Sequence, residues 1–437
     1  MIRLVYNLLF PFALLLFLPG YVQKMRRRGN YKRNAGQRLG FYSGELRARF
    51  AAHPHTWIHA VSVGEVAIAL KLARKLREVQ PQFRCVITTT TTTGYAFAER
   101  EADEWMSVMY NPIDFWLITR RAFGVMQPER IILVEAEVWP NLAAEAHHRR
   151  VPIALVNARL SQRSERRFRR FEAFVRPTFR CLDLVCVQEA KDIARWQALG
   201  VRPEVIRNTG SIKYDPSETQ MDARMPQDIL RSLGVATTRP IVLGGSTHAG
   251  EEEILARAFL QLRKAVPNDF LIVAPRHAER ANEVATALEA LGLRIARRSN
   301  FERNSDEVDC LLLDTTGELR HWYGTATVVF IGKSLTTHGG QNPVEPIIAG
   351  KPVVFGPHME NFATLARALI DARAAVQIRA AEELAPALLD LLRDDARREG
   401  LVRRAHEVLA PHRGATQRTA ELLLQMHAGG GGANSLA

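Results

Sequence analysis

A carboxylate placed just beyond a buried strand can take a proton from a bound hydroxyl, and Ser62-Val63-Gly64-Glu65 has that setting. The preceding run, Trp57-Ile58-His59-Ala60-Val61, is short and apolar, as a buried strand is. The following run, Val66 to Val79, has apolar residues at Val66, Ala69, Leu70, Ala73 and Leu76, with Lys71, Arg74, Lys75, Arg77 and Glu78 between them. That is the period of an amphipathic helix. Gly64 and Glu65 therefore sit at a strand-to-helix turn. In an open parallel sheet such turns lie at the carboxyl ends of the strands, where ligands bind. Gly64 would let the backbone bend or come close to a ligand. Glu65, taken alone, could equally be a simple complement to the positive end of its helix.

Two more residues belong to the same half of the chain. Ile131–Val134 delivers Glu135 to a strand end, with Glu137 two residues on and Trp139-Pro140-Asn141 opening a helix. Glu135 is a second candidate for chemistry, or else a cap for a neighbouring loop. Gly210-Ser211-Ile212-Lys213 closes this half; Lys213 either joins the site or is a solvated lysine at the start of a linker.

The other half carries phosphate-binding chemistry. Thr327–Ile331 and Gly332 lead into Thr336-Thr337-His338-Gly339-Gly340-Gln341-Asn342-Pro343-Val344-Glu345. Asn342 suits a helix cap and Pro343 a first helical position. Unpaired backbone N–H groups there would attract an anion, and Glu345 could accept hydrogen bonds from ribose hydroxyls. Leu243–His248, Pro275-Arg276-His277 and Leu313–Leu319, with Gly317 and Glu318, are three further strand-end turns. Arg276 could grip a phosphate by a forked contact. Any one of these can be only a turn; four in one domain imply a nucleotide site. Walker A and GxGxxG patterns are absent, so neither an ATPase nor a dinucleotide enzyme is indicated.

The net charge of +13 calls for an anionic partner or surface. Arg159, Arg163, Arg166, Arg167, Arg169 and Arg170 interleave with Phe168, Phe171 and Phe174 at helical spacing. The aromatics fall on the stripe expected to be buried, which argues against base stacking and so against nucleic acid. His53, His55 and His59 straddle Pro54 at a strand start, without the i, i+4 helical spacing of many metal sites. No metal and no cofactor are indicated. Cys85, Cys181, Cys186 and Cys310 form no CxxC pair and read as buried thiols of a reducing compartment.

The elements that must position these residues alternate strand and helix from Trp57 onward. Strands are expected at Trp57–Val61, Arg84–Thr88, Ser107–Tyr110, Ile131–Glu135, Ile153–Asn157 and Leu182–Gln188. After an aperiodic stretch, Lys213–Pro226, a second series follows at Ile241–Gly244, Phe270–Ala274, Leu293–Ala296, Cys310–Leu313, Thr327–Ile331 and Pro352–Phe355. The class is α/β, two doubly wound domains around a linker and a cleft. Glu382–His427 is mostly helical and Gly429–Ala437 a flexible tail. Leu4–Leu18 is almost wholly apolar but would be only roughly 22 Å long as a helix, against a hydrocarbon core of ~30 Å. Lys24, Arg26, Arg27, Arg28, Lys32 and Arg33 follow it, so the positive-inside rule keeps the body of the protein on the cytoplasmic side.

These motifs, taken in order, resemble the Kdo (3-deoxy-D-manno-octulosonic acid) transferases of lipopolysaccharide assembly. The resemblance runs to about residue 360. It is carried by Gly36–Tyr42, Ser62–Glu65, Glu135–Asn141, Asn157–Ser161, Gly210–Asp215, Ser246–His248, Pro275–His277, Gly339–Glu345 and Gly356-Pro357-His358. It implies a GT-B glycosyltransferase fold, two Rossmann-like domains facing across a cleft, with a membrane-associated N-terminal helix. The domains would be a hydrophobic anchor at 1–22, an acceptor-binding domain at 23–213, a linker at 214–226, a CMP-Kdo-binding domain with terminal helices at 227–428 and a tail at 429–437. The implied activity is inverting transfer of Kdo from CMP-Kdo to a lipid A precursor (lipid IVA) at the cytoplasmic face of the inner membrane, beside anionic lipid. Glu65 would be the general base, with Glu135 and Lys213 assisting the transition state. Pro275, Arg276, Gly317, Glu318, Leu319, Asn342, Pro343, Val344 and Glu345 would hold CMP. Lys333 stands where a second glycine is usual, Thr336-Thr337-His338 replaces a segment containing Glu and Arg, and Thr88–Thr93 replaces one richer in Met and Pro. A nucleotide-sugar epimerase of similar fold is the competing enzyme, and a basic membrane-surface adaptor the competing non-enzyme.

Overall fold

Short runs rich in Val, Ile and Leu, shielded throughout or nearly so in the central strands, become the strands of two wholly parallel, seven-stranded sheets. The computed structural model describes residues 2–27, 34–216, 222–300 and 308–426. The first sheet comprises β1 (Thr56–His59), β2 (Cys85–Thr89), β3 (Met106–Tyr110), β4 (Arg130–Val134), β5 (Ile153–Ala158), β6 (Leu184–Val187) and β7 (Ile206–Asn208) in the order β3-β2-β1-β4-β5-β6-β7. The second comprises β8 (Ile241–Thr247), β9 (Phe270–Pro275), β10 (Ile295–Arg297), β11 (Cys310–Leu312), β12 (Val328–Ile331), β13 (Val353–Phe355) and β14 (Val376–Gln377) in the order β10-β11-β9-β8-β12-β13-β14. In each sheet the chain builds one side first, then returns to build the other; in the second sheet β11 inserts between β9 and β10. The order reverses between β1 and β4 and between β8 and β12, and a parallel sheet opens a ligand crevice at such a point, beyond the strands' carboxyl ends.

The two sheets belong to separate units, one of residues up to Asp215 together with those from Gly414 onward, the other Pro216–Arg413. The last helix, Ala415–Gln425, is thus part of the first unit and not of the second, where the sequence reading put it. Asp215, 3% exposed, accepts hydrogen bonds from the backbone N–H groups of Gly414 (2.9 Å) and Thr416 (2.8 Å). Ala420 and Leu423 then pack in one core cluster with Val66 and Leu70. The expected linker is shorter too. Ile212–Tyr214 is a turn of 3-10 helix held by the Lys71 ammonium, and Arg224–Ser232 is already α-helix. Residues 217–221 of that linker, the tail 429–437, and Arg28, Lys32 and Arg33 lie outside the described residues.

The strands β7 and β14 were not expected. They have three and two residues and lie at sheet edges, where pairing on one side demands little of the sequence. The basic segment forms two helices, Gln162–Arg170 and Glu172–Phe179, broken at Phe171. The break turns Phe171 and Phe174 outward, 49% and 48% exposed, against the expected buried stripe; only Phe168 meets the core. Cys181 is only partly buried, while the other three thiols are buried, and all four are free. His59 is a core histidine, fully buried, its Nδ1 3.1 Å from Thr88 Oγ1.

Ile2–Arg27 is helical, and no described helix is long and apolar enough to cross a membrane. One face of this helix is spent on the first unit. Arg3 Nε and Asn7 Nδ2 donate to Asn141 Oδ1 (3.0 and 2.9 Å), Asn7 Oδ1 accepts from Trp116 N–H (3.2 Å), and Phe10 stacks on Phe115. Asp114 receives the backbone N–H groups of Asn141 and Leu142 at the start of the helix Pro140–His148.

Candidate functional site

The helix Val63–Val79 begins on Ser62, whose hydroxyl accepts the Glu65 N–H (3.4 Å). The Glu65 carboxylate reaches back, Oε2 to the Val61 N–H and Oε1 to the Ser62 hydroxyl, both at 2.8 Å. This variant of a capping box fixes the side chain at the carboxyl end of β1. Gly64 lies within the first turn without a positive φ, and a Cβ there would meet nothing closer than Ser62 Oγ at 3.9 Å. It therefore makes no bend; it leaves the helix start bare. The threonine run supports the same loop. The Thr89 and Thr91 hydroxyls both donate to the Val61 carbonyl, at 3.1 and 3.0 Å, on the peptide unit next to the one that holds Glu65.

Two hydrogen bonds and a helix start favour an ionised Glu65, while burial opposes it. Burial wins, with added repulsion from Glu135 and Glu137, and the carboxyl is pushed up to about 7. Glu135 sits beyond β4 with φ +64°, a left-handed conformation that costs a non-glycine residue roughly 1–2 kcal/mol. Its N–H is held by Val156 O at 3.0 Å. Burial raises its pKa, and the charges of Arg159 and Lys213 pull it back. Glu137 is raised by burial and lowered by Arg167. Lys213 is depressed, by burial first, with Glu135 favouring its charge. It is no solvated linker lysine. Asn157, 1% exposed with φ +51°, places it: Oδ1 accepts the Ile212 N–H (3.0 Å) and the Ser211 hydroxyl (3.2 Å). The first unit thus gathers Glu65, Glu135 and Lys213 around its switch point, and adds Glu137 and Arg159.

In the second unit a fully buried carboxylate organises the switch point. Glu251 accepts backbone N–H groups from His248 (2.9 Å), Lys333 (2.7 Å), Ser334 (2.9 Å) and Leu335 (2.9 Å), tying the loop after β8 to the loop after β12. The loops pass so closely that a Cβ on Gly332 would lie 2.2 Å from Ser246 O. Lys333 has φ +57°, which explains why glycine is usual there and what the lysine costs. The His248 imidazole is depressed to about 4, by burial and then by Lys333, His277, Arg280 and Arg276. That crowd of cations at the carboxyl ends of β8, β9 and β12 is a place for an anion.

Arg276 stands exposed just past Pro275, the last residue of β9, with its N–H on Thr247 O (3.0 Å). Gly317 has φ +86°; Glu318 is engaged by Arg298 through two contacts, 2.9 and 3.2 Å, and Leu319 opens a helix of four residues. The helix after Asn342 is Val344–Ile348, five residues, so Pro343 precedes it and its dipole is small. Pro343 takes the N-cap position, so Asn342 is not the cap the sequence predicts; its Oδ1 instead closes a turn ahead of the helix by accepting the Val344 N–H (3.0 Å), and its Nδ2 reaches Glu345 Oε1 at 3.3 Å. Burial raises the Glu345 pKa, while Asn342, Arg320 and Arg276 oppose the rise. Arg276, Asn342 and Glu345 therefore share one electrostatic environment, whereas Glu318 is committed to Arg298.

Two doubly wound parallel sheets in two units, each with ionisable groups at its switch point, are the architecture of a GT-B-type fold. A crystal structure of UDP-GlcNAc 2-epimerase from Neisseria meningitidis bound to UDP-GlcNAc matches with a TM-score of 0.55 over 86% of this chain and 100% of that one; at 12% identity the likeness is one of fold. The family is set by sequence. A family profile described as 3-deoxy-D-manno-octulosonic-acid transferase (kdotransferase) matches residues 33–216. The 3-deoxy-D-manno-octulosonic acid transferase of Bordetella pertussis is 35% identical over 94% of this chain and 96% of its own. That of Haemophilus influenzae is 34% identical over 90% and 91%. The chain belongs to the 3-deoxy-D-manno-octulosonic acid transferase family and is a glycosyltransferase.

Sequence reasoning placed the Leu243–His248 turn in the second site but missed Glu251 as its organiser. The signal was there in His248-Ala249-Gly250-Glu251, a glutamate in the first turn after a strand, as at Glu65. Glu251→Gln replaces one acceptor oxygen by a donor that opposes the N–H groups facing it. At roughly 1.5–3 kcal/mol per charged hydrogen bond, losing two lowers stability by about 3 kcal/mol or more, or about 6–12 °C in melting temperature. An unchanged melting curve for this variant would remove Glu251 as the organiser of the site.

Proposed function

We propose that this enzyme transfers Kdo from CMP-Kdo to a lipid A precursor, lipid IVA, with inversion at the anomeric carbon. The single observation that carries the mechanism is Glu65, a partly buried carboxyl pushed up to about 7 at the switch point of the first unit. A base works best when its pKa lies near the working pH. Glu65 takes the proton of an acceptor hydroxyl as that oxygen bonds to the anomeric carbon. The bond from this carbon to the phosphate oxygen breaks, and CMP leaves with the electron pair. The anomeric carbon gains positive charge on the way, which the Glu135 carboxylate stabilises, with Lys213 holding Glu135 ionised. The second unit supplies the donor subsite, with Arg276 for the phosphate and Glu345, steadied by Asn342, for the ribose. Pro275, Gly317, Glu318, Leu319, Pro343 and Val344 shape its loops.

An apolar, basic surface supports a lipid acceptor. The face of Ile2–Arg27 turned away from the first unit exposes Leu4, Leu8, Phe12, Leu15 and Leu16, each at least 66% exposed. Trp116 and Leu117 are exposed as well, and so are Phe171 and Phe174, which follow the arginines of Gln162–Arg170. A cavity of about 370 Å³ lined by Tyr6, Val138, Pro140, Phe168 and Phe174 suits an acyl chain. The helix would lie in the plane of one leaflet, on anionic lipid at the cytoplasmic face of the inner membrane.

Glu65→Gln is expected to fold, to bind CMP and to lose transfer by ~10²–10⁴-fold; near-normal turnover would sink the base assignment. The same substitution has a signature in stability. The folded-state pKa of Glu65 is raised, so its contribution to stability is present below the usual carboxylate value and lost as pH rises through about 7. Glu65→Gln should therefore melt above the parent at pH 8 and level with it at acid pH. For the membrane, a Leu8→Ser, Phe12→Ser, Leu16→Ser triple variant should keep its fold and sediment less with anionic vesicles. Undiminished sedimentation would assign binding to the basic helices instead.

A further inference from the structure

The loops after β12 and β13 bring together three metal-ligating side chains to which nothing above assigns a role. His338 Nδ1 lies 3.1 Å, and His358 Nδ1 3.4 Å, from the same carboxylate oxygen, Oε1 of Glu360. The two imidazole centroids are 4.0 Å apart, tilted by 57°. Among the described residues this is the group of three or more His, Cys, Asp or Glu side chains whose ligand atoms all fall within 4.8 Å of one another. Around a tetrahedral ion with bonds of about 2.0–2.1 Å, neighbouring ligand atoms stand about 3.3 Å apart. The two nitrogen-to-oxygen separations match that spacing.

The cluster is held before any ion arrives. Glu360 Oε2 accepts the Gly339 N–H (2.6 Å), which leaves Oε1 to face the two rings. His358 N–H is fixed on Ser334 O (2.9 Å) and Asn361 N–H on Gly339 O (2.7 Å), so both loops are locked to each other by backbone. Without an ion, two imidazoles share one acceptor oxygen at a ring separation where two protonated rings would repel. A dication placed among the three atoms meets two lone pairs and a negative charge.

We propose that His338, His358 and Glu360 form a binding site for a borderline divalent ion of the Zn²⁺ class. Two nitrogens and one oxygen are its protein ligands. Both histidines are reachable from solvent, His338 largely so, and the remaining coordination position is open to water. The ion clasps Gly339–Gln341 to the loop after β13. Those residues lead directly into Asn342, so the clasp stiffens the approach to the helix start at Val344. It takes no part in proton or group transfer.

The test is titration of the full-length, chelator-treated protein with Co²⁺, a visible-absorbing stand-in for Zn²⁺. One equivalent should develop d–d bands that Zn²⁺ then removes. His338→Ala and His358→Ala, each checked for an unchanged far-ultraviolet dichroism spectrum, should weaken Co²⁺ binding at least about tenfold. Zn²⁺ should raise the melting temperature of the parent and not of Glu360→Gln. No d–d bands in the folded parent, or Co²⁺ binding left unchanged by both histidine substitutions, would overturn the site.

Discussion

A carboxylate drawn out of water must have its charge answered, and at a strand-to-helix turn the nearest answer is backbone N–H. Both units of this enzyme use that device, and the difference between the two uses accounts for much of the architecture. Glu251 receives four N–H groups and holds two loops of the second unit together. Glu65 receives one N–H and one hydroxyl and remains under-compensated. Its proton affinity rises until it can act as a base near neutral pH. A glutamate in the first helical turn after a strand is a fastener in one unit and, on the proposed mechanism, a base in the other. The number of donors decides which.

The surroundings keep Glu65 in that intermediate state. Thr89 and Thr91 hold the Val61 carbonyl and so fix the loop that presents the single N–H. Glu135 and Glu137 add negative charge close by, while Arg159 and Lys213 keep Glu135 from losing its own. Four of the eight non-glycine residues with left-handed backbone among the described residues, Glu135, Asn157, Ser246 and Lys333, stand at the carboxyl ends of strands. Those are the loops that the proposed mechanism uses.

Much of this was legible in the sequence. Twelve of the strands follow from apolar runs, because a strand buried on both faces needs no alternation. Glu65 and Glu135 were singled out from their places at strand ends, which sheet order puts beside the switch point, and Lys213 from its place at the start of the linker, where a turn held by Asn157 brings it under the influence of Glu135. What was not legible depends on contacts remote in sequence. Nothing local says that Ala415–Gln425 returns to the first unit, since the decision rests on Asp215 and on a core that closes around Leu423. Nothing local distinguishes Glu251 from Glu65, since donor count depends on where the loop after β12 passes. His338 and His358 are twenty residues apart and meet only because β12 and β13 are neighbours. The short edge strands and the break at Phe171 were lost because edges and kinks leave little periodic signal.

The central claim is that burial outweighs the helix start at Glu65. Its most direct test is the titration of that one carboxyl, followed by the ¹³C shift of the Glu65 side chain in labelled protein, with Glu65→Gln to assign the resonance. A midpoint near 7 is expected. A midpoint in the ordinary glutamate range, about 4 to 5, would mean that hydrogen bonds and helix start prevail, and would contradict the account of Glu65 as a base raised by burial.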